Sequence, residues 1–233
     1  MPIIIPSNAG YDKNLGRTTP SSEIFMPTKL SIFNDALSHL GEARLASLTE
    51  NREARHSLDD TWSGRVSFCL ERAFWNFAMR TVEIGGSDTL APAFGMTYVF
   101  EKPGDWVRTY QVADNERFEP QLARFIDEAG HWHADINPLF VRYVSDDNVY
   151  GFDLGQWPQS FADCVSVALA LHNCYRITGA DSRVERLERL LKRNFALARG
   201  NDAMNEPPAN LPLNSWVRSR GDALKPDRWN RQG

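Results

Sequence analysis

The sequence predicts a mainly α protein: a helix bundle with a small β-rich insertion and extended N- and C-terminal arms. Three observations predict it. Apolar residues recur every three or four positions in several long stretches, a Val-, Tyr- and Phe-rich region interrupts them, and both ends are too rich in proline for regular structure. The expected organisation is an arm over residues 1–28, a helical body over 29–206 with its β-rich insertion at about 96–145, and a second arm over 207–233.

The first 28 residues carry Pro2, Pro6, Pro20 and Pro27 among Ser, Thr, Asn and Gly, with neither a helical nor a strand period. From Lys29 the pattern changes. Leu30, Phe33, Leu37 and Leu40 fall on one helical face, with Thr28 available as the N-cap and Gly41 where a left-handed C-terminal residue belongs. Leu58, Trp62, Val66, Cys69, Ala73 and Phe77 predict a long second helix from about Asn51 to Arg80, which Gly64 weakens by about 1 kcal/mol at most. Gly85 and Gly86 stop it.

Strands are expected over Thr97–Phe100, Val107–Val112 and Phe140–Val144, with Pro103, Gly104 and Asp105 turning the chain between the first two. Helices return between Trp157 and Leu197. Phe161, Val165, Ala168 and Leu169 lie in a segment apolar on nearly every side, the pattern of a buried helix. Ser182 and Glu185 form a candidate capping box for the last helix, with Glu185–Arg189 and Glu188–Lys192 as i,i+4 pairs. After Asn205 the run Glu-Pro-Pro-Ala-Asn-Leu-Pro excludes helix.

Composition narrows the function classes. The chain has 233 residues, 42% of them hydrophobic, enough for a real core, and a formal charge of −4, which is not the signature of a dedicated nucleic-acid binder. No apolar run approaches the ~20 residues of a membrane span, and Met1–Pro6 does not resemble a secretory leader, so synthesis in the cytoplasm is expected. Cys69, Cys164 and Cys174 are an odd number without C-x-x-C spacing, as expected of reduced core residues.

No nucleophile elbow, zinc-protease helix, phosphate-binding loop or dinucleotide fingerprint is present, and no catalytic residue or cofactor site is expected. His131, His133 and Asp135 are the candidate metal ligands, since alternate residues of a strand share a face, but a third and fourth ligand at recognisable spacing are missing. Asp59-Asp60 and Asp146-Asp147 are adjacent acids of the type a glycosidase pairs, and are more simply solvated charges. Phe74-Trp75-Asn76-Phe77 could stack bases, yet lacks the interleaved cations that follow a phosphate backbone. Helix packing suits it better.

The C-terminal arm is the strongest signal. Residues 207–233 carry five basic and two acidic side chains, a charge of +3 that leaves −7 on the rest. Leu213, Trp216, Leu224 and Trp229 stand there among arginines in a segment too proline-rich to bury them itself. Trp and Arg are the usual anchors of protein interfaces, whereas disordered segments are poor in Trp. The arm is therefore expected to order on a partner. A transcription or DNA-packaging accessory protein that reads duplex through this basic arm is a further alternative.

Several stretches in order carry a family resemblance. Phe33-Asn34-Asp35-Ala36-Leu37-Ser38-His39-Leu40-Gly41-Glu42, followed by Leu45 and Ser47-Leu48-Thr49-Glu50, resembles the opening helix of the head-to-tail adaptor proteins of tailed bacteriophages, the group of tail tubular protein A. Trp75-Asn76-Phe77-Ala78 is similar to the family's close of the second helix, and Pro103, Asp105 and Arg108 to the Pro-x-Asp-x-x-Arg that opens its β insertion. The helix at Phe161 and Trp216-Val217-Arg218-Ser219-Arg220 extend the likeness, which spans about Leu30 to Arg220. The N-terminal arm, the region around His131–His133 and the stretch from Gly221 onward depart from it.

The resemblance implies a structural virion protein at the head-tail junction, assembled in the host cytoplasm. It implies a ring, usually of twelve copies, beneath the capsid's portal protein, with a downstream tail or nozzle protein as the next partner and double-stranded DNA passing without sequence specificity. Leu213, Trp216, Arg218, Arg220, Trp229 and Arg231 are the expected portal-binding residues. The alternative is a metal-dependent hydrolase using His131 and His133.

Overall fold

The computed structural model describes residues 26–93, 95–179 and 183–205. Within them the fold is mixed rather than mainly α: four α-helices stand beside two three-stranded antiparallel sheets. This corrects the expected fold class. The α-helices are α1 (Lys29–Leu40), α2 (Glu53–Leu70), α3 (Gln159–Thr178) and α4 (Val184–Ala203), and the strands are β1 (Met79–Ile84), β2 (Tyr98–Glu101), β3 (Trp106–Ala113), β4 (Ile126–Glu128), β5 (His131–Ala134) and β6 (Leu139–Ser145).

Helix α1 is the element whose ends are most local in origin. Thr28 accepts from the Ser31 amide while Ser31 Oγ accepts from the Thr28 amide, and Gly41 closes the helix at φ 74°. Its buried Asn34 then binds the chain that follows, accepting from the Leu45 amide at 2.7 Å and donating to the Leu45 carbonyl at 3.2 Å. The loop after α1 is thereby held against the bundle.

Helix α2 ends at Leu70, ten residues before the expected end at Arg80. The apolar spacing through Ala73 and Phe77 fits a helix, but the chain turns at residues 71–75, makes a short 3-10 turn at Asn76–Ala78, and becomes β1. Donors from elsewhere satisfy the last carbonyls. Trp75 Nε1 reaches the Cys69 carbonyl at 2.9 Å, and Arg108 from β3 reaches that of Glu71 at 3.2 Å.

The four helices share one core, in which Phe161 of α3 is the aromatic hub. Trp75, Phe77 and Trp157 lie with ring centroids 5.0, 4.8 and 4.8 Å from it, and Trp157 stacks on Trp62, which meets Phe33 of α1 edge-on. Polar groups inside this core are satisfied. Asn173 of α3 accepts from Ser57 and donates to Thr61 on α2, so the two helices are tied in register.

The sheets have strand orders β1-β6-β3 and β2-β5-β4, and their facing surfaces enclose a second small core of Phe100, Val112, Trp132, Ala134, Leu139, Val141 and Tyr143. Strand β6 joins the two cores. Leu139, Val141 and Tyr143 face the sandwich, while Val144 belongs to the helical core. Three strands lie outside the expected ones: β1, whose first two residues fall in the expected second helix, and β4 and β5, which the sequence marks only by short segments without β-branched runs.

Where the sandwich meets the bundle there is no room to spare. A Cβ on Gly151 would collide with the carbonyl oxygen of Ser145 and come within 2.8 Å of Leu70 Cδ1. Gly151→Ala is expected to cost about 2 kcal/mol, the range of overpacked cores, read as a lower urea midpoint. An unchanged midpoint would mean that the 145–151 connection yields freely.

Candidate functional site

The expected portal-binding residues Leu213, Trp216, Arg218, Arg220, Trp229 and Arg231 lie outside the described residues. So does Ser182 of the expected capping box; Arg183, the residue ahead of α4, makes no side-chain cap. Arg189 donates to the Glu185 carbonyl rather than to its carboxylate.

The His131-Trp132-His133 stretch is the central strand of its sheet, and its residues are engaged structurally. Trp132 is fully buried, and its Nε1 donates to Thr109 Oγ1 at 2.9 Å and to Asp127 at 3.2 Å. His133 is buried, with Nδ1 accepting from the Ala93 amide at 3.1 Å, while His131 Nδ1 meets the Ala129 carbonyl at 2.8 Å. The two rings are 6.4 Å apart, and Asp135 is occupied by Thr97 and Arg124. Among the described residues no group of three or more His, Cys, Asp or Glu side chains is placed to hold a metal ion.

The adjacent acids have equally structural partners. Asp59 binds Lys29 at 2.5 Å and Arg55 at 3.5 Å, Asp60 lies 3.9 Å from Arg176, and Asp147 accepts from the Val149 amide in a turn. Cys69, Cys164 and Cys174 are all buried; burial, then the neighbouring Asp163, pushes the Cys164 thiol up to about 12. His39, beside Asp35 and Asp163 in a hollow between α1, α3 and α4, is held below the usual imidazole range by burial.

The stretches on which the family resemblance rests are joints of the fold. Trp75 is fully buried, Asn76 donates from its amide to the Asp202 carboxylate at 3.1 Å and from Nδ2 to the Asp202 carbonyl at 3.0 Å, and Ala78 is buried where β1 begins. This fixes the end of α4 to the α2–β1 turn. Phe74 is instead covered by Tyr110 and by Arg108, whose guanidinium lies 4.2 Å from its ring. Packing, not base stacking, employs this aromatic cluster.

Asp105 holds a second joint, between the start of β3 and the ends of β1 and β6. Its carboxylate accepts from Arg80 at 2.8 Å, from Tyr143 at 3.1 Å and from Ser145 Oγ, and its carbonyl accepts from the Asp146 amide. Burial acts to raise its pKa, but the hydrogen bonds from Ser145, Arg80 and Tyr143 outweigh burial and hold it below the usual carboxylate value. The same surroundings push the Tyr143 hydroxyl up, through burial and then the Asp105 charge.

No family model matches this chain, and no curated protein matches it. Among the described residues, no helix is long and apolar enough to cross a membrane.

What the sequence did not single out is a groove bounded by α2, α3 and α4, with a volume of about 560 Å³. Phe68 and Arg72, Leu171, and Leu191 with Phe195 line it from the three sides. The sequence signal was the charge balance of α4, five basic against three acidic side chains in a body that is otherwise acidic.

Proposed function

We propose that the chain is a head-to-tail adaptor of a tailed bacteriophage, a structural subunit of a ring of twelve copies beneath the portal protein. The observation that carries this reading is the ordered set of three motif stretches, around Asn34, Trp75–Ala78 and Pro103–Arg108, each of which makes a joint of the fold. They are spread along the chain in the order of the resemblance. The Trp- and Arg-bearing C-terminal segment supports a docking role, with Leu213, Trp216, Arg218, Arg220, Trp229 and Arg231 as the portal contacts.

A subunit of this kind needs side-to-side contacts and a way to hold the portal, and it needs no catalytic group. The net −7 of residues 1–206 suits a channel through which double-stranded DNA slides, because a wall of lysine and arginine would retain the phosphates. A downstream tail or nozzle protein completes the set of partners.

Mass measurement of the purified chain, alone and mixed with the portal protein encoded in the same genome, tests the proposal. A defined multimer on the portal is the expected result. A monomer under both conditions would remove the adaptor reading.

A further inference from the structure

Lys29, Arg52, Arg55, Arg80, Lys102, Arg124 and Arg176 each bind a carboxylate. Other cations have no carboxylate within ion-pair distance among the described residues, and four of these, Arg65, Arg72, Lys192 and Arg199, come together along the groove bounded by α2, α3 and α4. Of the residues on its main section, Glu188 alone is acidic, so the local field is positive.

The lining is also apolar. Leu171 of α3 with Leu191 and Phe195 of α4 contribute to it, and Phe68 of α2 stands beside them. The guanidiniums of Arg65 and Arg72 lie 5.1 and 4.3 Å from the Phe68 ring centroid, and Arg199 Nε donates to the Phe195 carbonyl at 3.2 Å. The cations are thus braced by the wall they border. Past Arg72 and Arg199 the groove continues for about 310 Å³ to Phe74 and Arg108, with Asp202, bound to Asn76, as the acid on this section.

We propose that this groove is a docking site for an acidic segment of a partner protein that carries large apolar side chains. Leu, Phe or Trp groups would cover the half-buried Phe68 and Leu171, and Asp or Glu carboxylates would take the in-plane N–H donors of Arg72 and Arg199 and the ammonium of Lys192. Charge complementarity decides against this chain's own C-terminal segment, which is itself +3. Single-stranded nucleic acid stacks its bases on open aromatic faces, and here the Phe68 ring is already covered by Arg65 and Arg72 while Phe195 is buried, so a peptide is favoured. The proposal goes beyond the adaptor reading and uses none of the residues assigned to portal binding.

Selection of short random peptides from a displayed library on the full chain tests it, with affinities of the enriched peptides then measured by fluorescence anisotropy. The expected winners combine Asp or Glu with Leu, Phe or Trp, and bind at least about tenfold more weakly to the Arg72→Glu, Lys192→Glu double variant. Both substituted side chains are exposed. Should that variant lose its thermal transition, Arg72→Gln with Lys192→Gln, which removes charge without reversing it, reads the same loss. Absence of enrichment, enrichment of neutral or basic peptides, or unchanged affinity in the folded variants would overturn the proposal. So would a single-stranded oligonucleotide that binds more tightly than the peptides and displaces them through the same cations.

Discussion

Ending the chain at Pro207 is expected to abolish attachment to the portal while leaving the body folded. The described hydrophobic core runs from Ile32 to Ala198, so the truncation removes none of its side chains, and the thermal midpoint should stay within a degree or two of the full chain's. Binding should suffer far more. Buried Trp and Arg anchors each contribute about 2 kcal/mol or more at an interface, so losing Trp216 and Arg218 together corresponds to about a thousandfold in affinity. Sedimentation of the truncated body with portal particles reads the result directly. A truncated body that still co-sediments would show that the docking surface lies elsewhere, and a full chain that never binds would sink the adaptor reading itself.

The second large effect is expected at Asp105. Replacing it with Ala leaves Arg80, Tyr143 and Ser145 without their shared acceptor at the joint between β1, β3 and β6. Hydrogen bonds to a charged group and the loss of one member of a partly buried ion pair together predict a cost of about 3 kcal/mol at neutral pH. The pH dependence distinguishes this from simple loss of packing. Because the folded-state pKa lies below the unfolded value of about 3.9, the carboxylate stabilises the fold fully above that value and loses its contribution as pH falls through the folded pKa. Urea unfolding should therefore separate wild type from Asp105→Ala widely at about pH 7 and progressively less below about pH 4. A gap that is constant with pH would assign the effect to shape alone.

The joints explain why some motifs were legible and others were misread. Trp75–Ala78 stood out as an aromatic cluster, and helix packing was a fair expectation for it, but its actual place is a turn into a strand. The periodic residues Cys69, Ala73 and Phe77 cannot distinguish a helix that continues from one that breaks while keeping its apolar groups inside. Neither Gly nor Asn closes α2; Glu71 stands there, and the closing donors are Trp75 and Arg108. For the same reason Met79–Ile84 became a strand. Its partners are Leu139–Val144, some sixty residues away, and pairing outweighed the weak local preference.

The His131–His133 pair shows the complementary failure. Alternation correctly places both rings on one face of a strand, but chemistry needs unoccupied donor atoms, and the neighbours of β5 had already engaged His133 and Asp135. Conversely the cationic groove was missed because Arg65, Arg72, Lys192 and Arg199 come from separate segments, each of which reads as ordinary wet helix surface.

The sequence by itself determined those features whose physical cause is local. Thr28 and Gly41 bound α1 through their own backbone and side-chain geometry, the all-round apolar pattern of α3 demands burial, and the proline run after Asn205 forbids further helix. Tertiary structure alone decided the mixed character of the fold, the end of α2, the central place of β5 and the gathering of unpaired cations beside Phe68 and Phe195. Each of these depends on groups far apart in the chain, whose hydrogen bonds and contacts exist only once folding has brought them together.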